Sequence, residues 1–286
     1  MDTKTQVTVA KTAGFCFGVK RAVDMVYERI GMGDKVTTYG PIIHNEAVVE
    51  DLASRGVHIA NTREELEAVP GGTVIIRSHG APKAIYDLLN EKNLNIVDAT
   101  CPFVKKIHNI VREQCGAGMR VLIVGDPAHP EVQGIKGWGD EKTIAADNLE
   151  DILKAFPDKD KPIAIVAQTT FNLVKFQEIV AEMRSLGYDL RSFNTICNAT
   201  VERQEETAEL ASVSDMMVVI GSPHSSNTRK LYEISKQRCD RTFFVSSADE
   251  LKGREFPQVG RIGITAGASA PDNIIAEVSN YVRSKF

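Results

Sequence analysis

Three cysteines, Cys16, Cys101 and Cys197, open three copies of one sequence unit, and this repeat restricts the possible fold more than any other feature. Counting forward from each cysteine, an apolar run ends in glycine 24 residues on, at Gly40, Gly125 and Gly221. Four residues further stand His44, His129 and Ser225, and two beyond these Glu46, Glu131 and Asn227. An acidic-hydrophobic helix start follows in each copy: Arg63-Glu-Glu-Leu66, Leu149-Glu-Asp-Ile152 and Ala248-Asp-Glu-Leu251. Another apolar run then closes on Ser78-His79-Gly80, Gln168-Thr169-Thr170 or Ala266-Gly267-Ala268-Ser269. A period of roughly 90 residues is too long for a solenoid and suits a small α/β domain.

Within each copy, short β-branched runs alternate with helical patterns, which predicts an α/β fold with parallel strands. Strands are expected at Val121–Val124, Ile163–Val166, Met216–Ile220 and Arg261–Ile264, and helices at Val19–Ile30, Val104–Cys115 and Glu202–Ala211. The expected units are residues 14–97, 98–193 and 194–286, with 1–13 packing against the third. Three like units in one chain predict a pseudo-threefold assembly whose equivalent positions converge on a centre. No Pro/Gly/Ser-rich linker separates them, so close packing is expected.

The formal net charge of −4 argues against a general nucleic-acid binder, which needs a clustered basic surface. The pairs Lys20-Arg21 and Lys105-Lys106 read as a solvated helix face. No apolar stretch reaches bilayer-spanning length, and the N-terminal segment has neither a signal-peptide nor a transit-peptide pattern. A cytoplasmic monomer without membrane or nucleic-acid partners is expected. Five cysteines, an odd number, read as reduced thiols rather than as a disulfide framework.

Each repeat cysteine precedes a helical pattern, and Pro102 occupies the first helical position after Cys101. The positive end of a helix dipole favours a thiolate, which metal ligation requires. A lone cysteine is more often a small buried hydrophobe, but three at matched repeat positions argue for ligands. Cys115 and Cys239 fall outside the register and read as structural. Paired C-x-x-C spacing, the mark of structural zinc, is absent, as is a compact ferredoxin run. Cysteines 85 and 96 residues apart point instead to one cluster at the meeting of three domains. Three thiolates on a four-iron cluster leave one iron open, which implies chemistry rather than scaffolding.

The loops after the second strands lead into helices, so His44-Asn-Glu46, His129-Pro-Glu131 and Ser225-Ser-Asn-Thr228 are expected at helix N-termini, where backbone N–H groups favour anions. Ser269-Ala-Pro-Asp272 resembles a capping box. Ser225, Ser226, Asn227 and Ser269, with imidazoles from His44, His79 and His129, form a donor set for a diphosphate. No Walker loop is present to do that work. Capping alone explains any one of these serines, but the set at matched strand ends favours a ligand site. Glu131, placed directly after His-Pro, is expected to have a raised pKa and to donate protons, with Thr169 as a hydroxyl relay. The plain alternative is a first-turn glutamate facing the helix dipole.

Nine blocks in order resemble the LytB/IspH family of 4-hydroxy-3-methylbut-2-enyl diphosphate reductases. They are Gly14-Phe-Cys-Phe-Gly-Val-Lys-Arg-Ala22, Ile43-His-Asn45, Arg77-Ser-His-Gly80, Asp98-Ala-Thr-Cys-Pro102, His129-Pro-Glu-Val132, Gln168-Thr-Thr170, Cys197-Asn-Ala-Thr200, Ser225-Ser-Asn-Thr228 and Ala266-Gly-Ala-Ser269. The resemblance implies three α/β lobes around one [4Fe–4S] cluster, held by Cys16, Cys101 and Cys197, whose fourth iron takes the substrate's hydroxyl oxygen. It implies an oxidoreductase that removes that hydroxyl as water and yields isopentenyl and dimethylallyl diphosphates, the last step of non-mevalonate isoprene biosynthesis. By the same resemblance Glu131 supplies protons with Thr169 and His129 assisting. His44, His79, His129, Thr169, Ser225, Ser226, Asn227 and Ser269 hold the substrate. Reduced ferredoxin or flavodoxin would supply electrons, since the chain has no dinucleotide fingerprint. One departure stands out: Pro223-His224 replaces the family's usual Lys-Asn before the serine run. The competing readings are a non-catalytic iron–sulfur redox sensor or electron carrier, and a structural zinc protein.

Overall fold

The computed structural model describes residues 5–254, 256 and 258–286, so the first four residues of the N-terminal segment lie outside the described residues. The first third of the chain forms β1 (Gln6–Val9), α1 (Phe17–Gly31), β2 (Val36–Tyr39), α2 (Glu46–Ser54), β3 (His58–Ala60), α3 (Arg63–Glu67), β4 (Thr73–Ile76), α4 (Lys83–Glu91) and β5 (Asn95–Asp98). The middle third forms α5 (Pro102–Gly116), β6 (Arg120–Val124), α6 (Pro130–Lys136), β7 (Thr143–Ala146), α7 (Leu149–Ala155), β8 (Ile163–Ala167), α8 (Leu173–Ser185) and β9 (Leu190–Ser192). The last third forms α9 (Asn198–Val213), β10 (Met216–Ile220), α10 (Ser226–Lys236), β11 (Thr242–Val245), β12 (Arg261–Ala266) and α11 (Asp272–Lys285).

These strands make three four-stranded sheets, all parallel, with the orders β1-β12-β10-β11, β5-β4-β2-β3 and β9-β8-β6-β7. Each sheet therefore has the same plan, and the expected α/β fold of three similar units is present. The central strands β4, β8 and β10 are buried along their whole length, as apolar runs in parallel sheets covered by helices must be. Ile107 and Val111 of α5, at helical spacing, bury against β6 and β8, and Ile275, Val278 and Val282 of α11 join the β10–β12 core.

The repeat extends to single hydrogen bonds. The second strands end at glycines whose N–H groups donate to Ala60 O at 2.8 Å from Gly40, Ala146 O at 2.9 Å from Gly125 and Val245 O at 2.9 Å from Gly221. Glycine is needed for two reasons: a Cβ at Gly125 would lie 2.7 Å from Gln168 Cβ, and Gly40 has a φ of +69°, which other residues rarely adopt. In the third copy the space over Gly221 is taken by the Thr228 side chain.

The chain divides into two compact units, one of Met1–Val19, His44–Glu46 and Asn198–Phe286, the other of Lys20–Ile43 and Ala47–Cys197. The first carries the β1-β12-β10-β11 sheet and the second the other two sheets.

Three local expectations give way to tertiary context. The third acidic-hydrophobic copy forms only a short 3₁₀ turn at Asp249–Leu251. The capping box at Ser269 does not form: Pro271 is the N-cap of α11 without a side-chain bond, and the Ser269 hydroxyl donates to His44 O at 3.0 Å. The basic pairs are only partly solvated. Arg21 donates to the carbonyls of Asp98, Ala99 and Thr100 at 3.3–3.4 Å, and Lys105 pairs with Asp98 at 2.7 Å.

Candidate active site

Cys16, Cys101 and Cys197 each stand immediately before a helix, α1, α5 and α9. Their backbone N–H groups are anchored alike, to the second residue past the end of β12, β4 or β8: Cys16 to Ala268 O at 3.3 Å, Cys101 to Ser78 O at 3.0 Å and Cys197 to Thr169 O at 3.0 Å. All three thiols are half-buried. A further clamp holds the loop ahead of Cys16. The Glu206 carboxylate of α9 accepts the Lys11 and Thr12 N–H groups at 2.7 and 2.8 Å. Cys115 and Cys239 sit apart, Cys115 with its sulfur 3.4 Å from Thr143 Oγ1 and Cys239 buried against Met217 and Ala211. Each of the three residues thus offers a thiol just ahead of a helix N-terminus, a ligand type suited to an iron–sulfur cluster.

The unit of sheets β5-β4-β2-β3 and β9-β8-β6-β7 assembles an acid–hydroxyl–imidazole group. Glu131, in the first turn of α6, is 2% exposed. Its carboxylate accepts the Thr169 N–H at 2.6 Å and the Thr169 hydroxyl at 2.7 Å. His129 caps α6 by accepting the Glu131 N–H on Nδ1 at 3.1 Å, which leaves Nε2 as the proton-bearing nitrogen of a neutral ring. The His79 ring packs edge-on against His129, centroids 5.4 Å apart. Burial pushes the Glu131 carboxyl up to about 7 against the opposing pull of the two Thr169 hydrogen bonds. The raised pKa expected from the sequence is present, and its cause is desolvation. Its repeat counterpart Glu46 is exposed and accepts the Ser222 hydroxyl at 2.8 Å.

Because the Glu131 proton is held up to about pH 7 in the folded chain, against an ordinary carboxyl value of 4.5, folding takes up a proton between these limits. The stabilisation this gives is full below about 4.5 and is lost as pH rises through about 7. Unfolding titrations across pH 5–9 are expected to show it as a decline that Glu131→Gln removes.

The unit containing the β1-β12-β10-β11 sheet presents the other polar group. Ser225 is the N-cap of α10, accepting the Thr228 N–H at 3.3 Å, and Ser226 and Asn227 follow in its first turn. Asn227 is 4% exposed, yet among the described residues neither its Oδ1 nor its Nδ2 has a hydrogen-bond partner. Ser269 reaches the His44 backbone, as described above. Pro223 and His224, where the family pattern has Lys-Asn, are exposed, and the loop is closed by His224 N–H donating to Ser222 Oγ at 3.2 Å.

One residue was not singled out from the sequence. Gln168 is 1% exposed and its Oε1 accepts the Asp126 N–H at 3.1 Å, tying the end of β8 to the loop that delivers His129 and Glu131. Its place beside Thr169 in the Gln-Thr-Thr motif was the available signal.

The family described as LytB protein matches residues 7–283. The chain is 42% identical over 280 residues to the 4-hydroxy-3-methylbut-2-enyl diphosphate reductase of Thermoanaerobacter sp. (strain X514), covering 97% of this chain and 96% of that protein. It is 46% identical over 275 residues to the reductase of the same name from Trichlorobacter lovleyi, covering 96% of each. Among solved structures, that of (E)-4-hydroxy-3-methyl-but-2-enyl diphosphate reductase, the terminal enzyme of the non-mevalonate pathway, matches at 42% identity and TM-score 0.69 over 97% of this chain and 99% of that one. The Plasmodium falciparum E-1-hydroxy-2-methyl-but-2-enyl-4-diphosphate reductase matches at 26% identity and TM-score 0.89 over 98% of this chain and 88% of that one. With the motifs, the repeated sheets and these relatives in agreement over nearly its whole length, the chain belongs to the LytB family.

Proposed function

We propose that this chain is the reductase that converts 4-hydroxy-3-methylbut-2-enyl diphosphate to isopentenyl and dimethylallyl diphosphates, the terminal step of the non-mevalonate pathway. The observation that carries the reading is the buried Glu131 carboxyl, bonded to Thr169 and raised to about 7, within a family of reductases of that name. Atoms and electrons balance as one allylic C–O bond broken, one C–H bond formed and one water released, for two electrons and two protons.

Cys16, Cys101 and Cys197 are the ligands of one [4Fe–4S] cluster in this proposal, and their equivalent anchoring supports it. When bound, that cluster supplies the electrons and, at an iron without a protein ligand, Lewis acidity. Glu131 holds a proton near neutrality and Thr169 Oγ1, 2.7 Å away, passes it towards the substrate. His129 fixes the α6 N-terminus by accepting the Glu131 N–H on Nδ1, which holds the proton-donating carboxyl in place. His44, His79, Ser225, Ser226, Asn227 and Ser269 provide donors for the diphosphate. The unpartnered carboxamide of Asn227 supports this, because a buried amide without partners costs about 1–3 kcal/mol that a ligand can recover. Reduced ferredoxin or flavodoxin brings the electrons. Among the described residues no helix is long and apolar enough to cross a membrane, and the reading makes the chain a cytoplasmic monomer.

Asn227→Ala is expected to raise KM about tenfold or more without lowering Tm, since the lost amide has no intramolecular bond to break. A fall in Tm with unchanged KM would contradict its role. Cys115→Ser is expected to retain full iron content in anaerobic preparations, and loss of iron there would overturn the ligand assignment. The functional reading is tested by adding the hydroxylated diphosphate to anaerobic holoenzyme with photoreduced 5-deazariboflavin. Steady consumption of substrate is expected. Reduction and reoxidation of the protein with substrate untouched would leave a redox carrier or sensor in place of the enzyme.

A further inference from the structure

Electrons for the proposed reaction must enter from another molecule, and basic and aromatic side chains gather around Cys101 in a chain of net charge −4. Phe103, in the first turn of α5, is 42% exposed, and Pro102 beside it is exposed too. A single exposed apolar residue is ordinary, and Phe103 matters here only because it stands, with exposed Pro102, beside a half-buried thiol and a set of basic residues. Around it the sequence places basic residues in register: Lys105-Lys106 lie four and five residues after Cys101, as Lys20-Arg21 do after Cys16, whereas Val201-Glu202 hold those places after Cys197. Cys16 is likewise followed by an exposed aromatic, Phe17, at 67%.

The basic residues do not merely hydrate a helix. Arg21 sits on the carbonyls of Asp98, Ala99 and Thr100, which places its charge directly ahead of Cys101. Lys105 pairs with Asp98 at 2.7 Å and Lys20 with Asp24 at 2.7 Å. Exposed Lys106 has no acidic partner among the described residues. Arg21 and Lys105 thus set two positive side chains against the one carboxylate of Asp98 at this loop, with Lys106 next to Lys105 in α5, a local excess of positive charge in a chain of net charge −4. Small interfaces between redox proteins are steered by such charge and held by a few apolar contacts.

From this surface we infer that Phe103 and Lys106, with Arg21 and Lys105, form the docking site for an acidic electron-carrier protein, which delivers its electrons beside Cys101. The inference rests on the reductase reading. Each turnover oxidises two carriers by one electron each, and these two electrons with two protons account for the C–H bond and the water formed.

Lys106→Glu and Phe103→Ser, singly and together, test it on the holoenzyme with reduced flavodoxin, an acidic carrier, as donor. At low ionic strength the double variant is expected to lose at least about tenfold in flavodoxin-driven rate, and the Lys106→Glu share of the loss is expected to shrink as salt screens it. Turnover with photoreduced 5-deazariboflavin, a small neutral reductant, is expected to be unchanged. Calorimetric titration with oxidised flavodoxin is expected to show the same weakening without any turnover. Equal flavodoxin-driven rates and affinities in parent and double variant would overturn the inference, as would an equal loss with both reductants. Absence of turnover with either reductant in the parent would strike at the reductase reading instead, while the titration would still report on docking.

Discussion

Glu131→Gln is expected to leave the iron content and visible spectrum of the anaerobic holoenzyme intact while turnover falls by about two to four orders of magnitude. Glutamine keeps the size of the side chain and, through its carbonyl oxygen, one acceptor for Thr169. It cannot release a proton. The parent carboxyl titrates at about 7 because burial disfavours its charged form, so it is poised to give and regain a proton under ordinary conditions. The sign follows directly: the acid form is the donor, so the parent rate is expected to decline as pH rises above about 7. The residual rate of the variant should lack that inflection. A variant with full activity, or with an unaltered pH profile, would remove Glu131 from the proton path. Loss of the cluster from the same variant would make the effect structural.

Cys101→Ala is expected to abolish both the cluster and the activity. Cys101 opens α5 and is anchored through its N–H to Ser78 O, neither of which depends on the sulfur. Alanine at this place therefore keeps these two backbone features and removes the thiol that the proposal makes a ligand. Circular dichroism should show the parent's helix content, while iron and sulfide fall to a small fraction of the parent value. Cys115→Ser provides the contrast, since Cys115 contributes a half-buried sulfur near Thr143 and nothing more. Retention of a stable four-iron spectrum in Cys101→Ala would require another ligand and would break the equivalence of the three cysteines.

Much of this arrangement was legible from offsets alone. The positions 24, 28 and 30 residues after each cysteine fall at the second strand end, at the loop and in the first helical turn of all three copies. Such features are local, set by strand length and turn chemistry, and so they survive in a linear pattern. What depended on distant neighbours was not legible. Glu46 and Glu131 share a repeat position, but only Glu131 is enclosed, and burial alone separates an exposed partner of Ser222 from an acid of pKa about 7. Ser269 has the pattern of a helix cap and spends its hydroxyl on His44 O, 225 residues away along the chain. Arg21 reads as a solvated helix residue because nothing nearby in sequence reveals the carbonyls of residues 98–100. The third helix start, Ala248-Asp-Glu-Leu251, has the local signal of its counterparts and still closes as a single 3₁₀ turn. Propensity proposes such elements and packing decides them.

The central claim is that this chain removes a hydroxyl group reductively, with protons routed through Glu131. Its most direct test is product analysis after anaerobic turnover of 4-hydroxy-3-methylbut-2-enyl diphosphate in deuterated water, with electrons counted. The account predicts isopentenyl and dimethylallyl diphosphates, each with one solvent-derived deuterium on carbon, and two electrons consumed per molecule formed. Recovery of the hydroxylated diphosphate unchanged, from protein with a full and reducible cluster, would contradict it.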